Sequence, residues 1–526
     1  MRCEVLLACE DQPERQQRLR LEALASEPLS RLLWLSGVLK PRALCAGLGQ
    51  CGRCRVRFLG EAPAGQSDEE QFFSEEELAL GWRLSCRHTL AELAGCCEPH
   101  SLLLPAHSLA QKRELCEPRP RSKEKLLLAL DLGTSSVCWQ LLQKASGRIL
   151  AEGQFLNPQA VVGSDVISRL AYARQPAKRK QLATLVREAL VRELGCHAEL
   201  AQIDLVCLAA NTAMTEIFLD NDVQGLCAAP YRLCHQGHEI VSLPDFPAVY
   251  LPPLPGPFLG GDVTAGLAEV LSQKPGKPWL LVDLGTNAEF ALMADELYFA
   301  SVPMGPAMEG IGMRCGQLAS DTVITAFTLG PEGLVGHCPK SGARPSGISA
   351  TGYLALLALL LRTGLVRADG HFQSVQSMPI LRKISARFVQ KASGTRLELA
   401  NGLFLEARDG EELLKVKAAF ASALTLLLKA AGCRAEALQQ IFLAGALGRY
   451  AEPRDLETLA FFPRGTASKI LPCGNTALLG AARLARSAAW REELSALCQK
   501  AKVLTVTNDR DFQASFFAAM GFGQGS

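Results

Sequence analysis

Residues Trp279 to Phe290 read WLLVDLGTNAEF: an apolar run into Asp283, a Gly285-Thr286-Asn287 turn, then Glu289 and a second apolar run. That is the pattern of a buried strand, a tight turn and a returning strand. Leu126 to Val137 repeats it as LLLALDLGTSSV, with Asp131 before a Gly133-Thr134-Ser135 turn. One such hairpin is common in unrelated chains. Two in one chain predict two similar half-domains facing each other.

Such a pair has a chemical use. A glycine turn lets backbone N–H groups approach a phosphate oxygen, and Thr or Ser hydroxyls add donors. An Asp at each strand end can hold Mg²⁺ through water or orient an attacking water. Asp131 and Asp283 are therefore the candidate catalytic pair. Gly133, Thr134, Ser135, Gly285, Thr286 and Asn287 are the candidate phosphate binders. The plainer alternative is two ordinary hairpins with solvated Asp residues.

At 526 residues the chain is too long for one core, and its length corresponds to about three or four domains. A net charge of +2 provides no global field for nucleic acid or a membrane surface. Met1 leads into the mixed segment RCEVLLACEDQ, which does not read as a signal peptide. Apolar runs such as Leu354 to Leu361 are too short to span a bilayer. Nineteen cysteines without an export signal point to a reducing cytoplasm rather than a disulfide scaffold.

Residues 1–97 form a distinct segment. Cys45, Cys51 and Cys54 lie in CAGLGQCGRC, and Cys86 follows far downstream. Three close thiols in a glycine-rich loop plus one distant thiol is the ligand pattern of a 2Fe–2S cluster, with the first gap one residue longer than in the plant type. Gly47, Gly49 and Gly52 let the loop wrap a cluster. Zinc is the rival, although zinc sites usually come as paired C-x2-C knuckles. Arg55 to Leu59 reads as a strand and Glu75 to Leu80 as a helix, so the segment resembles a β-grasp 2Fe–2S ferredoxin. Cys96 and Cys97 fall outside the pattern. Residues 98–125, rich in Pro and basic side chains, read as a linker.

From residue 126 the nucleotide-type α/β fold begins, as lobes of about 126–278 and 279–526. Asp165 is placed to cap the helix VISRLAYA, and Gln181 to Leu194 is a further amphipathic helix. Asn211-Thr212 joins a buried strand to a helix. Gly260-Gly261-Asp262 opens another helix, where Asp262 reads first as a cap. Ser301 to Gly316, SVPMGPAMEGIGMRCG, reads as an exposed functional loop. Residues 366–415 are irregular and charged, with a hairpin turning at Asn401-Gly402. IFLAGALGRYAEP, from Ile441 to Pro453, puts Gly445 and Gly448 after a strand, where bare backbone can lie against adenosine.

In this order DLGTSS, DLGTNAE and AGALG resemble the two phosphate motifs and the adenosine motif of the acetate/sugar kinase, heat-shock ATPase and actin (ASKHA) superfamily. NPQ…DVISR, ANTAM, GGDVTAG, GPAMEG, GNTAL and a terminal F-x-x-x-F more closely resemble the ATP-dependent reductive activators of corrinoid proteins. The likeness covers nearly the whole chain. Ala446 and Ala288 replace glycines usual in the family, PSGISATG is looser than its counterpart, and a separate middle domain is missing from this reading. The resemblance implies ATP, Mg²⁺ and a 2Fe–2S cluster as cofactors. It further implies a corrinoid protein of a methyltransferase system and a low-potential electron donor as partners, with homodimerisation compatible. The implied reaction returns an electron to Co(II) to restore Co(I). A potential gap of ~200 mV corresponds to roughly 5 kcal/mol per electron, a term nucleotide-driven closure can offset. Two rivals remain: a small-molecule kinase carrying an electron-transfer domain, and a redox-sensing binding protein.

Overall fold

Both hairpins form, and each lies inside its own six-stranded sheet. The computed structural model describes residues 1–39, 44, 47, 49, 52–93, 99–105, 108, 124–163, 165–309, 313–391, 394–448, 450–506 and 510–523. In the first lobe the strands Leu126–Leu132, Ser136–Gln143 and Ile149–Leu156 make an antiparallel meander, and Ile203–Ala210 pairs parallel with the first of them. In the second lobe Trp279–Leu284, Asn287–Met293 and Leu297–Pro303 repeat that meander, and Gln440–Ala444 pairs parallel with Trp279–Leu284. The same local order, meander then parallel return, makes the two sheets equivalent and confirms the internal repeat.

The lobes meet through two helices, Gly261–Ser272 from the first half and Thr476–Arg486 from the end of the second. Only glycine allows their approach: a Cβ on Gly480 would stand 1.7 Å from the carbonyl oxygen of Ala265. Leu267, Leu281, Phe442, Ala481 and Leu484 lie in one core between the lobes. That close contact holds the ends of the two central strands on a common cleft.

The N-terminal segment forms a separate five-stranded mixed sheet in the order Gln12–Glu22, Arg2–Cys9, His100–Leu104, Arg55–Phe58, Trp82–Leu84. The helix Leu29–Leu35 buries Leu29, Leu33 and Trp34 in its core, the arrangement of a β-grasp. Here the expected boundary at 97 is corrected. His100–Leu104 is the central strand, parallel to Arg2–Cys9, and Leu102 and Leu104 are fully buried. Its short apolar run was masked by the basic, proline-rich residues that follow it.

Asp165 caps its helix through a 2.8 Å bond from the Ser168 N–H, as expected. The helix read from Gln181 begins earlier, at Pro176, a residue favoured in the first helical turn. Residues 366–415 are less irregular than their charge suggests. The hairpin turns at Asn401, with φ of 60°, but Ala407–Ala430 is one helix begun by a Glu406/Asp409 capping box. Its acidic first turn resembled a charged loop and instead favours the helix N-terminus. The reading of Ser301–Gly316 as exposed holds for Pro303 and Arg314 and is corrected for its apolar side chains, while residues 310–312 lie outside the described residues. Residues 301–303 continue a strand, and Met304, Ala307, Met308 and Met313 are buried in the core of the second lobe.

Candidate functional site

The two hairpins bring Asp131 and Asp283 to the same cleft, with Asp262 and Glu289 beside them. Glu289 is directly opposite Asp283 in the antiparallel pair, so their side chains share one face of the sheet. Each Asp keeps an edge accessible while protein surrounds the rest. Burial pushes the Asp131 carboxyl up to about 7. Asp262 adds repulsion, and a hydrogen bond from Asn475 opposes both. Asp283 is likewise pushed up to about 7, by burial and then by Asp262 and Asp131. Asp262 rises to about 6 through burial. Glu289 is held well above the usual carboxylate range by burial and by Asp262 and Asp283. These four acids repel one another in a poorly solvated cleft, and a bound cation would relieve that repulsion.

The first turn is fixed from three directions. Asn157 Nδ2 donates to the Gly133 carbonyl at 2.8 Å, and the Asn157 N–H donates to the Ser135 carbonyl at 2.9 Å. Arg169, fully buried, donates to the carbonyls of Thr134 and Gly163. Asn211 caps the helix Thr212–Leu219 and also donates to Thr134 Oγ1 at 3.3 Å. A turn clamped this way presents its remaining N–H groups without reorganising. In the second turn the Gly285 N–H donates to the Asn287 carbonyl at 2.8 Å, and the Met304 N–H donates to the Thr286 carbonyl at 3.1 Å.

Gly445 belongs to this cleft. It has a φ of +86°, and a Cβ there would lie 2.5 Å from Asp283 Oδ1 and 2.6 Å from the Leu284 carbonyl. Any side chain would press into the second turn. Gly448 stands differently: a Cβ would meet the Leu443 carbonyl at 2.6 Å, so its bareness serves packing on its own strand.

Cys54 and Cys86 are brought together at the N-terminal sheet. Arg55 pairs with Leu84, and the Ser85 N–H and Oγ both donate to the Cys54 carbonyl, at 3.0 and 2.6 Å. The distant cysteine therefore follows directly after the residue that faces Cys54. Gly47, Gly49 and Gly52 all have positive φ, consistent with the wrapped loop their spacing suggested. Cys45, Cys51, Cys96 and Cys97 lie outside the described residues.

Six contributors were not among the expected site residues, Asn157 and Arg169 at the first turn among them. Glu289 was legible from register alone, being opposite Asp283. Asp262, read as a cap, accepts the Val263 N–H at 2.9 Å and sets its charge against Asp131 and Asp283. Asn475 and Asn211 carried the signal of an Asn before a helix, but their reach across the fold is tertiary. Among the described residues, no three acidic, His or Cys side chains converge enough to enclose a metal ion by themselves.

Two family models match the chain in succession: the RACo middle region over residues 126–273 and the C-terminal domain of RACo, described as the ASKHA domain, over residues 277–525. The middle region is thus the first lobe itself, which corrects the reading that it is missing. The chain is similar to the corrinoid activation enzyme RamQ of Eubacterium limosum, 28% identical over 383 residues, covering 68% of this chain and 64% of that one. It is also similar to a Methanosarcina barkeri [Co(II) methylated amine-specific corrinoid protein] reductase, 25% identical over 391 residues, covering 67% and 68%. The chain thus spans somewhat under two thirds of the length of the first of these relatives. A solved reductive activator for corrinoid, iron-sulfur protein shares the fold, with a TM-score of 0.66, 21% identity and coverage of 99% of this chain and 98% of that one.

Proposed function

Because the RACo middle-region and ASKHA-domain models match residues 126–273 and 277–525 in succession, we propose that the chain is an ATP-dependent reductive activator, passing one electron to Co(II) of a corrinoid protein to restore Co(I). The single observation that carries this reading is the pair of carboxylates, Asp131 and Asp283, each just before the turn of an equivalent hairpin in one of the two lobes. Such a pair suits a nucleotide triphosphate gripped from both sides.

In this reading the N-terminal unit, ending after Leu104, carries a 2Fe–2S cluster on Cys45, Cys51, Cys54 and Cys86. A tether joins it to the ATPase unit, with lobes 126–278 and 279–526. The backbone contact that sets Ser85 against Cys54 fits a four-thiolate shell drawn from a loop and a distant strand end. When bound, the cluster supplies electrons one at a time. Gly133, Thr134, Ser135, Gly285, Thr286 and Asn287 bind the phosphates, and Gly445 leaves room beside Asp283. Asp131 and Asp283 hold Mg²⁺ through water or orient the attacking water. Since the carboxylates alone do not enclose an ion, the remaining ligands come from nucleotide and solvent. A composition with nineteen cysteines fits a reducing cytoplasm better than a disulfide scaffold. Among the described residues no helix is long and apolar enough to cross a membrane.

The test is selective stimulation of hydrolysis. A Co(II) corrinoid protein should raise the ATPase rate, while small alcohols and carboxylates should not. Phosphorylation of a small alcohol or carboxylate would instead make the chain a kinase.

A further inference from the structure

Both phosphate turns are connected to residues adjoining the proposed cluster ligands. On the first lobe, Asn157 bonds the Gly133 and Ser135 carbonyls and heads the short helix Pro158–Val161. The Ala160 carbonyl of that helix accepts the N–H of Leu44, the residue before Cys45, at 3.2 Å. Val161, 5% exposed, is packed into the core of the N-terminal unit. Arg31 of that unit also lies 5.0 Å from the Tyr172 ring of the first lobe.

On the second lobe, the Met304 N–H is tied to the Thr286 carbonyl of the second turn. Met304, Ala307, Met308 and Met313 anchor the following segment in one core. That segment ends at Gly316, held by the Ile348–Cys315 and Gln317–Ile348 backbone bonds of 2.8 and 3.0 Å. The Gly316 carbonyl accepts Arg53 Nη2 at 3.2 Å, and Arg53 directly precedes Cys54. The N-terminal unit therefore straddles the cleft, with one anchor on each lobe. A change in lobe spacing must be taken up at one anchor or the other, because packed elements shift as units rather than stretch.

We propose that Arg53 is a positioning residue that couples lobe closure to the cluster: its bond to Gly316, opposed by the Leu44–Ala160 bond, makes the cluster environment depend on the bound nucleotide. This rests on the functional reading above.

The test uses the full-length, cluster-loaded protein, with and without magnesium and a non-hydrolysable ATP analogue. The readouts are the midpoint potential and the electron paramagnetic resonance line shape of the reduced cluster. Iron content and analogue binding are measured in the same samples. In the parent the analogue should change both readouts. Arg53→Ala should lose more than half of each change with analogue still bound, and Arg53→Lys should restore it. A full response in Arg53→Ala overturns the proposal. A parent that holds iron and binds analogue but shows no change overturns the proposal and leaves the functional reading standing. A parent that cannot hold iron or bind the analogue overturns both. Should Arg53→Ala lose its iron, Asn157→Asp decides, since it cuts the path at the first turn, away from the cysteines. With analogue bound, loss of the response there supports the coupling and a full response refutes it.

Discussion

Asn475 Nδ2 donates to Asp131 Oδ2 at 2.6 Å, joining the helix Thr476–Arg486 to the first glycine turn. The same side chain caps that helix through Oδ1, which accepts the Leu478 N–H at 2.8 Å. Asn475 thus has two separable duties. Asn475→Ala should cost about 1 kcal/mol of stability through the lost cap and also weaken nucleotide binding. Asn475→Asp keeps a capping oxygen but faces Asp131 with a like charge, so the added repulsion offsets the kept cap and hydrolysis should fall further than in the Ala variant. Melting temperature and ATPase rate, measured together, check the split.

Asp283→Asn should reduce hydrolysis on the order of 10²-fold or more, by removing a carboxylate placed for water or metal. Its stability has a definite pH signature in nucleotide-free, magnesium-free protein. The folded-state pKa of Asp283 is raised from 3.8 to about 7, so the native state holds this proton more tightly than the unfolded chain does. The stability it contributes is full below the unfolded value and is lost as pH rises through about 7. Relative to the parent, the Asn variant should gain stability from about pH 4 to about pH 7 and level off above. Denaturant titrations of both proteins at several pH values measure the difference.

Gly445→Ala probes the close approach of the third turn. With φ at +86° and the new Cβ 2.5 Å from Asp283 Oδ1, backbone strain of about 1–3 kcal/mol is expected, together with displacement of the Asp283 carboxylate. Nucleotide affinity should drop in isothermal titration. Gly448→Ala, whose strain falls on Leu443 instead, should lower stability with less effect on affinity.

For the N-terminal unit, anaerobically prepared protein should contain about two irons and two sulfides per chain. Cys86→Ser should lose the cluster and its visible absorption. Cys96→Ser and Cys97→Ser should retain both. Tightly bound zinc in the parent would replace this assignment.

The sequence made the paired hairpins plain because apolar runs ending in Asp131 and Asp283 are short, repeated and local. Glu289 required counting register across the second hairpin. Asp262 and Asn475 each announce a helix start, a local meaning that hides their common destination at the cleft, because that destination is set by how two helices cross at Gly480. The central strand His100–Leu104 was obscured by the composition of its neighbours, and the helix from Ala407 by its charged first turn. In both cases tertiary burial outweighed local composition. The contact of Arg53 with Gly316 joins two loops with no regular periodicity and left no trace in either one.

The central claim is nucleotide-driven electron delivery to cobalt. Its most direct measurement is anaerobic incubation of the protein with a Co(II) corrinoid protein and a chemical reductant, followed optically for the appearance of Co(I). Co(I) should accumulate with Mg-ATP, and should fail to do so without nucleotide or with Asp283→Asn or Cys86→Ser. Accumulation at the parental rate without nucleotide, or with either variant, would contradict the account.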